Sequence, residues 1–420
     1  MAHLVSASAC RRSLCTAAAS LLLVVSTLVV GGVRGKSLVL VGGGLDEMNA
    51  EVYNTIVLMA GGRGQARIGI VTAPSADPAD SFSYYQDLFI NFYGAASVAH
   101  IHVSVNNLSA AYDPALVAVV RTMTGFFFSG GDQSRVVQSM YTADRRETPV
   151  LTAIRERYEA GAVASGSSAG AACMPSAVMV TGGVSWEGLR WGSLTSSHQS
   201  SDLTYNPQGG IGFLDGYVID THFADRGREG RLIRLLSDTR GESKGTGWGF
   251  GVDEDTALAI TNVGTTAAVA KVIGTGGVTF IDVTGSREDT AQRYFTIRDV
   301  YVTYLTHGDE YNLSTHQVTF AIDKIPLRGN EQYSLALSSD DIFYGRRTAT
   351  TKPEFVRAAT SIFDSRAETS TYGTTYERNP RFQVDMAMIT GRSEGYVKRM
   401  SGFHSDLHSY KDMRVNIAAI

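Results

Sequence analysis

Cysteine is scarce in this sequence, which contains Cys10, Cys15 and Cys173 among its 420 residues. Cys10 and Cys15 lie in an N-terminal segment that we expect to be removed, which would leave Cys173 alone. One cysteine cannot form an internal disulfide, and the sequence has neither a cysteine pair nor a His-Glu-x-x-His run to hold zinc. We therefore expect a fold that depends on its hydrophobic core, without a metal.

Charged residues are also few, at 19%, and the net charge is about −4. This balance excludes a strongly basic nucleic-acid binder or a polybasic membrane surface. No Walker lysine follows Gly42-Gly43-Gly44, and these glycines lack dinucleotide-binding spacing, so no organic cofactor is expected. Apolar residues make up 44% of the chain, enough for one large domain with an extension, or for two domains.

The N-terminus has the pattern of a secretory signal peptide, which we assign to residues 1–35. Arg11 and Arg12 precede an apolar run over 16–30, and small residues follow. An uncleaved anchor is the alternative, although fifteen apolar residues are short for a membrane span. Cleavage removes three arginines and no acid, which takes the net charge from −4 to −7.

The expected location is therefore the extracellular space or the lumen of the secretory pathway, including a vacuole, with no membrane contact after cleavage. Two sequons, at Asn107 and Asn312, fit a glycoprotein on this route. The sequence leaves a homodimer open.

Strand-like and helical segments alternate from residue 37. The predicted strands are 38–41, 68–72, 98–103, 126–128 and 162–164, and the predicted helices are 48–59, 82–92 and 148–159. This alternation predicts an α/β fold with a mostly parallel sheet and helices on both faces, whose function lies at the carboxyl ends of the strands. Further strands are expected at 278–283, 301–305 and 317–322. We assign 36–322 to a catalytic domain and 323–420 to a C-terminal extension of unknown role.

A nucleophile motif is predicted at Gly166-Ser167-Ser168-Ala169-Gly170, between a strand and a helical stretch over 171–179. A tight strand-to-helix turn of small residues exposes its middle side chain, and the N–H of Ala169 can then help to hold an oxyanion. Ser165 and Ser167 are rival nucleophiles, but only Ser168 has glycine two residues away on both sides. A turn that merely packs a helix on a sheet is the alternative.

The best candidate for a general base is His222, where an apolar strand gives way to polar residues before a helix that begins near Ala224. This placement predicts that His222 lies at the same edge of the sheet as Ser168. The alternative is a histidine that only packs at a strand end. The rival histidines are in strands, a serine-rich loop and the polar tail: His100, His102, His198, His404 and His408.

Two further segments suggest a binding pocket. Arg228 and Arg231 share a helix face behind His222, and guanidinium groups bind carboxylates in two places; a solvated helix face is the alternative. Gly130-Gly131-Asp132-Gln133 follows a strand, with Asp132 a natural N-cap for the next helix.

Taken together, these motifs resemble the family of cyanophycinases and aspartyl dipeptidases over about residues 37–285. The matching segments are 38–44, Gly-Gly-Asp-Gln at 130–133, Gly-Ser-Ser-Ala-Gly-Ala at 166–171, 220–231 and Gly-Phe-Gly-Val-Asp-Glu-Asp-Thr-Ala at 249–257. The resemblance implies a serine-type peptidase on a fold similar to class I glutamine amidotransferases (flavodoxin-like), with extra C-terminal strands. Its catalytic set would be Ser168, His222 and Glu187, with Asp253 or Glu254 as alternatives to Glu187 that resemble support for the floor of the site.

The resemblance also implies an oxyanion hole and a substrate pocket. Ala169 would be joined in the oxyanion hole by Gly43 or Gly44. The implied substrate is a peptide or polymer rich in Asp and Arg, such as a β-Asp-Arg polymer. The implied substrate-binding residues are Asp132, Gln133, Arg135, Asp220, Thr221, Arg226, Arg228 and Arg231. Thr221 and Arg135 depart from the Gln and Lys common in the family. An α-aspartyl dipeptidase, an esterase-like hydrolase and a silent secreted binding protein are the alternatives.

Overall fold

The computed structural model describes residues 35–345, 353–400 and 405–420, and Gly35–Ile420 forms one compact unit. Residues 1–34 of the predicted signal segment and His404 lie outside the described residues. The helices are α1 Ala50–Met59, α2 Pro78–Asp87, α3 Pro114–Val120, α4 Gln133–Met140, α5 Pro149–Glu159, α6 Ala169–Ala172, α7 Ser185–Trp191, α8 Glu229–Thr239 and α9 Glu354–Phe363.

The strands form two large sheets and one two-stranded sheet. They are β1 Ser37–Val41, β2 Arg67–Val71, β3 Ser97–Ile101, β4 Gly125–Phe128, β5 Val163–Ser167, β6 Met179–Gly182, β7 Thr204–Asn206, β8 Val218–Thr221, β9 Trp248–Val252, β10 Thr256–Thr261, β11 Val269–Gly274, β12 Gly277–Asp282, β13 Arg287–Glu288, β14 Ile297–Thr306, β15 Glu310–Asn312, β16 Val318–Thr319, β17 Ile325–Pro326, β18 Ser370–Thr374, β19 Phe382–Ala387, β20 Glu394–Lys398 and β21 Leu407–Ala419.

The first sheet has the order β16-β15-β11-β10-β1-β5-β4-β2-β3. The five neighbouring strands β1-β5-β4-β2-β3 are parallel to one another. The rest of the sheet is antiparallel and consists of β10, β11, β15 and β16. Strand β1 is buried on both faces, because Leu38 and Leu40 belong to one core and Val39 and Val41 to another. Helix α5 contributes to the first core and helix α1 to the second. The predicted α/β class is therefore confirmed, with helices on both faces; the specific likeness to glutamine amidotransferases stays a prediction.

The second sheet joins the catalytic part of the chain to the C-terminal extension. Its order is β17-β20-β21-β14-β12-β9-β8, with β8 parallel to β9, and β21 pairs with β14 along most of its length. A fully buried ion pair, Lys324 Nζ to Asp309 Oδ2 at 2.6 Å, connects the start of the extension to the preceding part of the chain. Residues 323–420 therefore belong to the same compact unit as residues 35–322 rather than to a separate one.

The predicted segments differ from the structure mainly around the nucleophile. The helix expected over 171–179 is a single turn, α6, because Pro175 follows it and Met179 already begins strand β6. The helix expected over 82–92 is α2 followed by a π-helical turn, Leu88–Phe92. Within the described residues, no helix is long and apolar enough to cross a membrane.

Candidate active site

Ser168 lies on a sharp turn between β5 and α6. Its backbone has φ 56° and ψ −118°, a strained conformation for a residue with a side chain. The turn requires both motif glycines: a Cβ on Gly166 would lie 2.4 Å from the carbonyl oxygen of Gly170, and one on Gly170 would lie 2.1 Å from that of Phe128. The small residues therefore allow the close backbone packing that presents Ser168, which is only partly buried.

His222 lies directly in front of this serine. Its Nε2 is 2.7 Å from the Oγ of Ser168, and its side chain is 11% exposed. The rival serines do not share this position, because Ser165 is buried and donates to the carbonyl of Phe126 and Ser167 is also buried. Among the rival histidines, His100 contacts Thr72 and His408 contacts Asp364. The geometry thus pairs Ser168 with His222, as the sequence predicts.

Three consecutive carbonyl groups at the end of β1 join the parts of the site. Val41 accepts from the N–H of Ser168 at 3.0 Å, Gly42 from that of His222 at 2.7 Å, and Gly43 from that of Asp255 at 2.9 Å. Ser168 follows a strand of the first sheet, whereas His222 and Asp255 follow strands of the second. The glycine turn after β1 therefore fixes the nucleophile and the base relative to each other across the junction of the two sheets.

The carboxylate bound to His222 is that of Glu254, not that of Glu187. Oε1 of Glu254 is 2.6 Å from Nδ1 of His222. This contact follows from topology, because β8 and β9 are parallel neighbours with Thr221 opposite Val252, so His222 and Glu254 leave the sheet at one edge. Glu187 lies in α7 near Glu377, whose pKa is raised by burial and then by Asp341 and Glu187. The expected Glu187–His222 pairing is therefore corrected to Glu254–His222.

The environment of His222 favours the neutral form of its imidazole. Burial lowers the pKa of His222, and the nearby positive charges of Arg226 and Arg228 lower it further. The hydrogen bond to Glu254 acts in the opposite direction but does not outweigh burial. A neutral imidazole whose Nδ1–H donates to Glu254 can accept a proton from Ser168 through Nε2.

The predicted oxyanion residues surround the same pair. Ala169 opens α6, and the first N–H groups of a helix have no acceptor within it. Gly43 lies against the imidazole of His222 and Gly44 against the carboxylate of Glu254. These three residues thus lie beside Ser168, His222 and Glu254, and their role in binding an oxyanion stays a prediction.

The Gly130–Gln133 turn approaches the nucleophile at Gly130. A Cβ on Gly130 would lie 3.7 Å from that of Ser168. Asp132 is the N-cap of α4 and accepts from the N–H of Ser134, while Gln133 donates to the carbonyl of Val180 at 2.7 Å. Arg135 is half-buried one turn further along the helix. Gly130 therefore lies next to Ser168, whereas the side chains of Asp132 and Gln133 already have local partners.

Asp220 and Arg231 form a buried ion pair and cannot contact a substrate directly. Asp220 is 1% exposed, and Arg231 donates to both of its carboxylate oxygens at 2.8 and 2.6 Å. Burial alone would raise the pKa of Asp220, but Arg231 and Arg228 together hold it below the ordinary value. The expectation that these two residues bind substrate is corrected to a structural role beneath the pocket.

The remaining predicted pocket residues differ in exposure. Thr221 is buried, and its carbonyl accepts from Arg228 at 2.6 Å. Burial and neighbouring arginines lower the pKa of Arg228 to about 10, which leaves it charged at neutral pH. Arg226 has a side chain 51% exposed, with Nη2 3.7 Å from Oε1 of Glu254. It is therefore the arginine of this group best placed to meet a substrate at the crevice.

Asp253 supports the site from below. Its Oδ1 accepts from the N–H of Ala224 and its Oδ2 from the N–H of Gly277 and the hydroxyl of Tyr304. Burial, reinforced by Asp225, raises its pKa to about 7. The Asp253-Glu254 pair thus divides into one structural and one histidine-bound carboxylate. No grouping of three or more potential metal-binding side chains occurs among the residues described.

A serine beside a histidine that is bound by a carboxylate, on a strained strand-to-helix turn, defines the class of serine hydrolases. The profile of peptidase family S51 matches residues 38–267, so the chain belongs to this family of serine-type peptidases.

Curated relatives agree with this assignment. The chain is 29% identical over 286 residues to a cyanophycinase of Synechococcus elongatus, covering 66% of this chain and 79% of that protein. It is 28% identical over 289 residues to a cyanophycinase of Geminocystis herdmanii, covering 67% and 95%. A crystal structure of a peptidase from an acI-B1 Actinobacterium matches with a TM-score of 0.46 and 21% identity, covering 67% of this chain and 98% of that one.

Proposed function

We propose that this chain is a secreted exopeptidase that cleaves Asp-containing peptide or isopeptide bonds, such as those of a β-Asp-Arg polymer, through an acyl-enzyme. The observation that carries the proposal is the continuous chain of contacts from Ser168 Oγ to His222 Nε2 and from His222 Nδ1 to Glu254, at 2.7 and 2.6 Å. The cyanophycinase relatives support the polymer as the first substrate to test.

In the proposed reaction, His222 takes the proton of Ser168 as the serine oxygen attacks the substrate carbonyl. Glu254 keeps the imidazole oriented and stabilises the imidazolium that forms. The N–H groups of Ala169 and of the glycine turn at Gly43 or Gly44 would hold the negative charge on the carbonyl oxygen. His222 then protonates the leaving amine, and water activated by the same histidine releases the acyl group.

Arg226 and Arg228 would give the pocket its preference for acidic groups. Both lie behind His222, and the half-exposed guanidinium of Arg226 can form two parallel hydrogen bonds to a carboxylate. An Asp residue on the acyl side of the scissile bond would place such a carboxylate near the nucleophile. The buried pair of Asp220 and Arg231 would keep this part of the site rigid.

The direct experiment is release of β-Asp-Arg dipeptides from cyanophycin by the purified chain, alongside Ser168→Ala. Each general-base or oxyanion contribution amounts to about 100-fold or more in rate, so the variant should retain almost no activity. Equal release by wild type and variant would refute the assignment of the nucleophile. A parallel panel of short α-aspartyl peptides and simple esters tests the polymer against other substrates.

Secretion is proposed from the sequence of residues 1–35 and needs its own experiment. When the whole chain is expressed in a eukaryotic secretory host, the culture medium should contain protein whose N-terminus lies near residue 36. The sequon asparagines Asn107 and Asn312 both donate side-chain hydrogen bonds to backbone carbonyls. A glycosidase-induced mass shift would test whether either is modified, and retention of an intact N-terminus in membranes would contradict cleavage.

A further inference from the structure

A loop of the C-terminal extension reaches the active site. This extension loop, residues 339–345, is anchored on both sides: Ile342 donates to the carbonyl of Thr374 at 2.8 Å, and Tyr344 accepts from Glu354 at 3.0 Å. Ile342 is fully buried. These contacts fix the loop between strand β18 and helix α9, outside the residues that the family profile matches.

The extension loop packs backbone to backbone against the turn that follows His222. We call this turn, residues 225–228, the arginine turn. A Cβ on Gly227 would lie 1.8 Å from the carbonyl oxygen of Phe343, and one on Gly345 would lie 2.0 Å from that of Asp225. The ring of Phe343 also touches the first turn of α8, where a Cβ on Gly230 would lie 2.7 Å from its Cζ. The two segments are therefore in close backbone contact, and each restricts the movement of the other.

The arginine turn is also held by its neighbours: the carboxylate of Asp225 accepts from the N–H of Glu254 at 2.7 Å, and Arg228 donates to the carbonyl of Thr221 at 2.6 Å. Arg226 donates its N–H to the carbonyl of His222 at 3.1 Å, and its guanidinium approaches Glu254 at 3.7 Å. The neighbouring Gly227 has φ 57°, and its carbonyl accepts from Ser185 at 2.5 Å. His222 itself is held by Gly42, Ser168 and Glu254. The half-exposed side chain of Arg226 lies 3.7 Å from the carboxylate of Glu254, a looser contact than those of His222 at 2.7 and 2.6 Å, so movement of the arginine turn should displace Arg226 more than the catalytic histidine.

We propose that Phe343 is a positioning residue for substrate recognition: its ring packs on the first turn of α8 and so seats its carbonyl against Gly227, and the extension loop thereby places Arg226 to bind an acidic group beside Ser168. This inference rests on the proposed function in one respect, that Arg226 contacts a carboxylate. It gives the extension a role in the specificity of the site, in addition to its role in completing the second sheet.

The test compares two reagents that react covalently with Ser168 in the whole chain and in Phe343→Ala. One is neutral, diisopropyl fluorophosphate, and the other is an aspartyl diphenyl phosphonate with a free side-chain carboxylate. In each, Ser168 Oγ bonds to phosphorus, fluoride or phenoxide leaves, and His222 receives the serine proton. Loss of a well-placed guanidinium should slow the anionic reagent about tenfold, while the neutral reagent stays within about twofold of wild type.

Two variants control this comparison. Phe343→Leu retains an apolar contact and should recover most of the anionic rate, and it serves if Phe343→Ala does not fold. Phe320→Ala removes a half-buried ring that stacks on Tyr396 far from the arginine turn, and it should leave the ratio of the two rates unchanged. An unchanged ratio in folded Phe343→Ala, or an equal loss with both reagents, would overturn the inference.

Failure of the inference can be separated from failure of the proposed function. If cyanophycin and aspartyl peptides are not cleaved but the ratio still falls in Phe343→Ala, the proposed substrate is wrong and the positioning role stands. If the polymer is cleaved and the ratio is constant, the positioning role alone is wrong.

Discussion

The imidazole of His222 occupies the space that a side chain at position 43 would need: a Cβ on Gly43 would lie 2.2 Å from its Cε1. Glycine is therefore required at position 43 for two reasons: any side chain would collide with the imidazole, and the backbone has a φ of 103°. Because the ring cannot move without losing Ser168 or Glu254, the glycine turn determines where the general base lies.

Gly43→Ala should displace His222 and lower the rate of Ser168 labelling by about 100-fold or more, the usual size of a general-base contribution. Gly62→Ala is the matched control, because Gly62 has a similar φ of 94° but no atom within 4 Å of an added Cβ. Both variants should lose about 1–2 kcal/mol of stability from the left-handed backbone. Equal labelling rates in the two variants would show that the contact with His222 does not matter.

The pH dependence of hydrolysis should report the lowered pKa of His222. Its neutral form is the active one, so kcat/KM should fall as the pH drops through the pKa of His222, with a midpoint below the ordinary 6.5. Arg226→Ala removes a positive charge that opposes protonation, so the midpoint should move upward. The exposed Arg287→Ala variant should not move it. A midpoint that falls or stays constant in Arg226→Ala would contradict this electrostatic account.

The buried pair beneath the pocket should affect stability rather than substrate binding. Arg231→Met leaves the carboxylate of Asp220 buried without its main partner, which should cost about 3–5 kcal/mol in the free energy of unfolding. The double variant Asp220→Leu with Arg231→Met should regain much of that loss. Urea unfolding gives both values. A raised KM with unchanged stability would instead restore the substrate-binding role expected from the sequence.

The sequence predicted the pairing of Ser168 and His222 because both lie where an apolar strand ends, and strand ends are visible in a local pattern. It could not predict which carboxylate meets His222. Glu187 and Glu254 both follow glycine-rich stretches, and the choice depends on the parallel pairing of β8 with β9, which joins residues 31 positions apart. The dipeptide Asp253-Glu254 was the available signal, read as support for the floor of the site.

The placement of the C-terminal extension could not be predicted from the sequence, for a different reason. Its strands join a sheet whose other strands come from residues 218–306. Their apolar residues are therefore buried by contacts distant in sequence, which a local pattern does not reveal. The same applies to Phe343, whose contact with Gly227 spans more than a hundred residues. By contrast, the burial of Asp220 beside Arg231 illustrates that an arginine cluster near a catalytic edge can be structural.

The most direct test of the account is the labelling rate of Ser168 by diisopropyl fluorophosphate in two isosteric variants, Glu254→Gln and Glu187→Gln. The account predicts a loss of about 100-fold or more in Glu254→Gln, because an amide neither keeps His222 in the correct tautomer nor stabilises its charged form. Glu187→Gln should react within about twofold of wild type, since its side chain is not the partner of His222. A large loss in Glu187→Gln together with normal labelling in Glu254→Gln would contradict the assignment of the catalytic carboxylate.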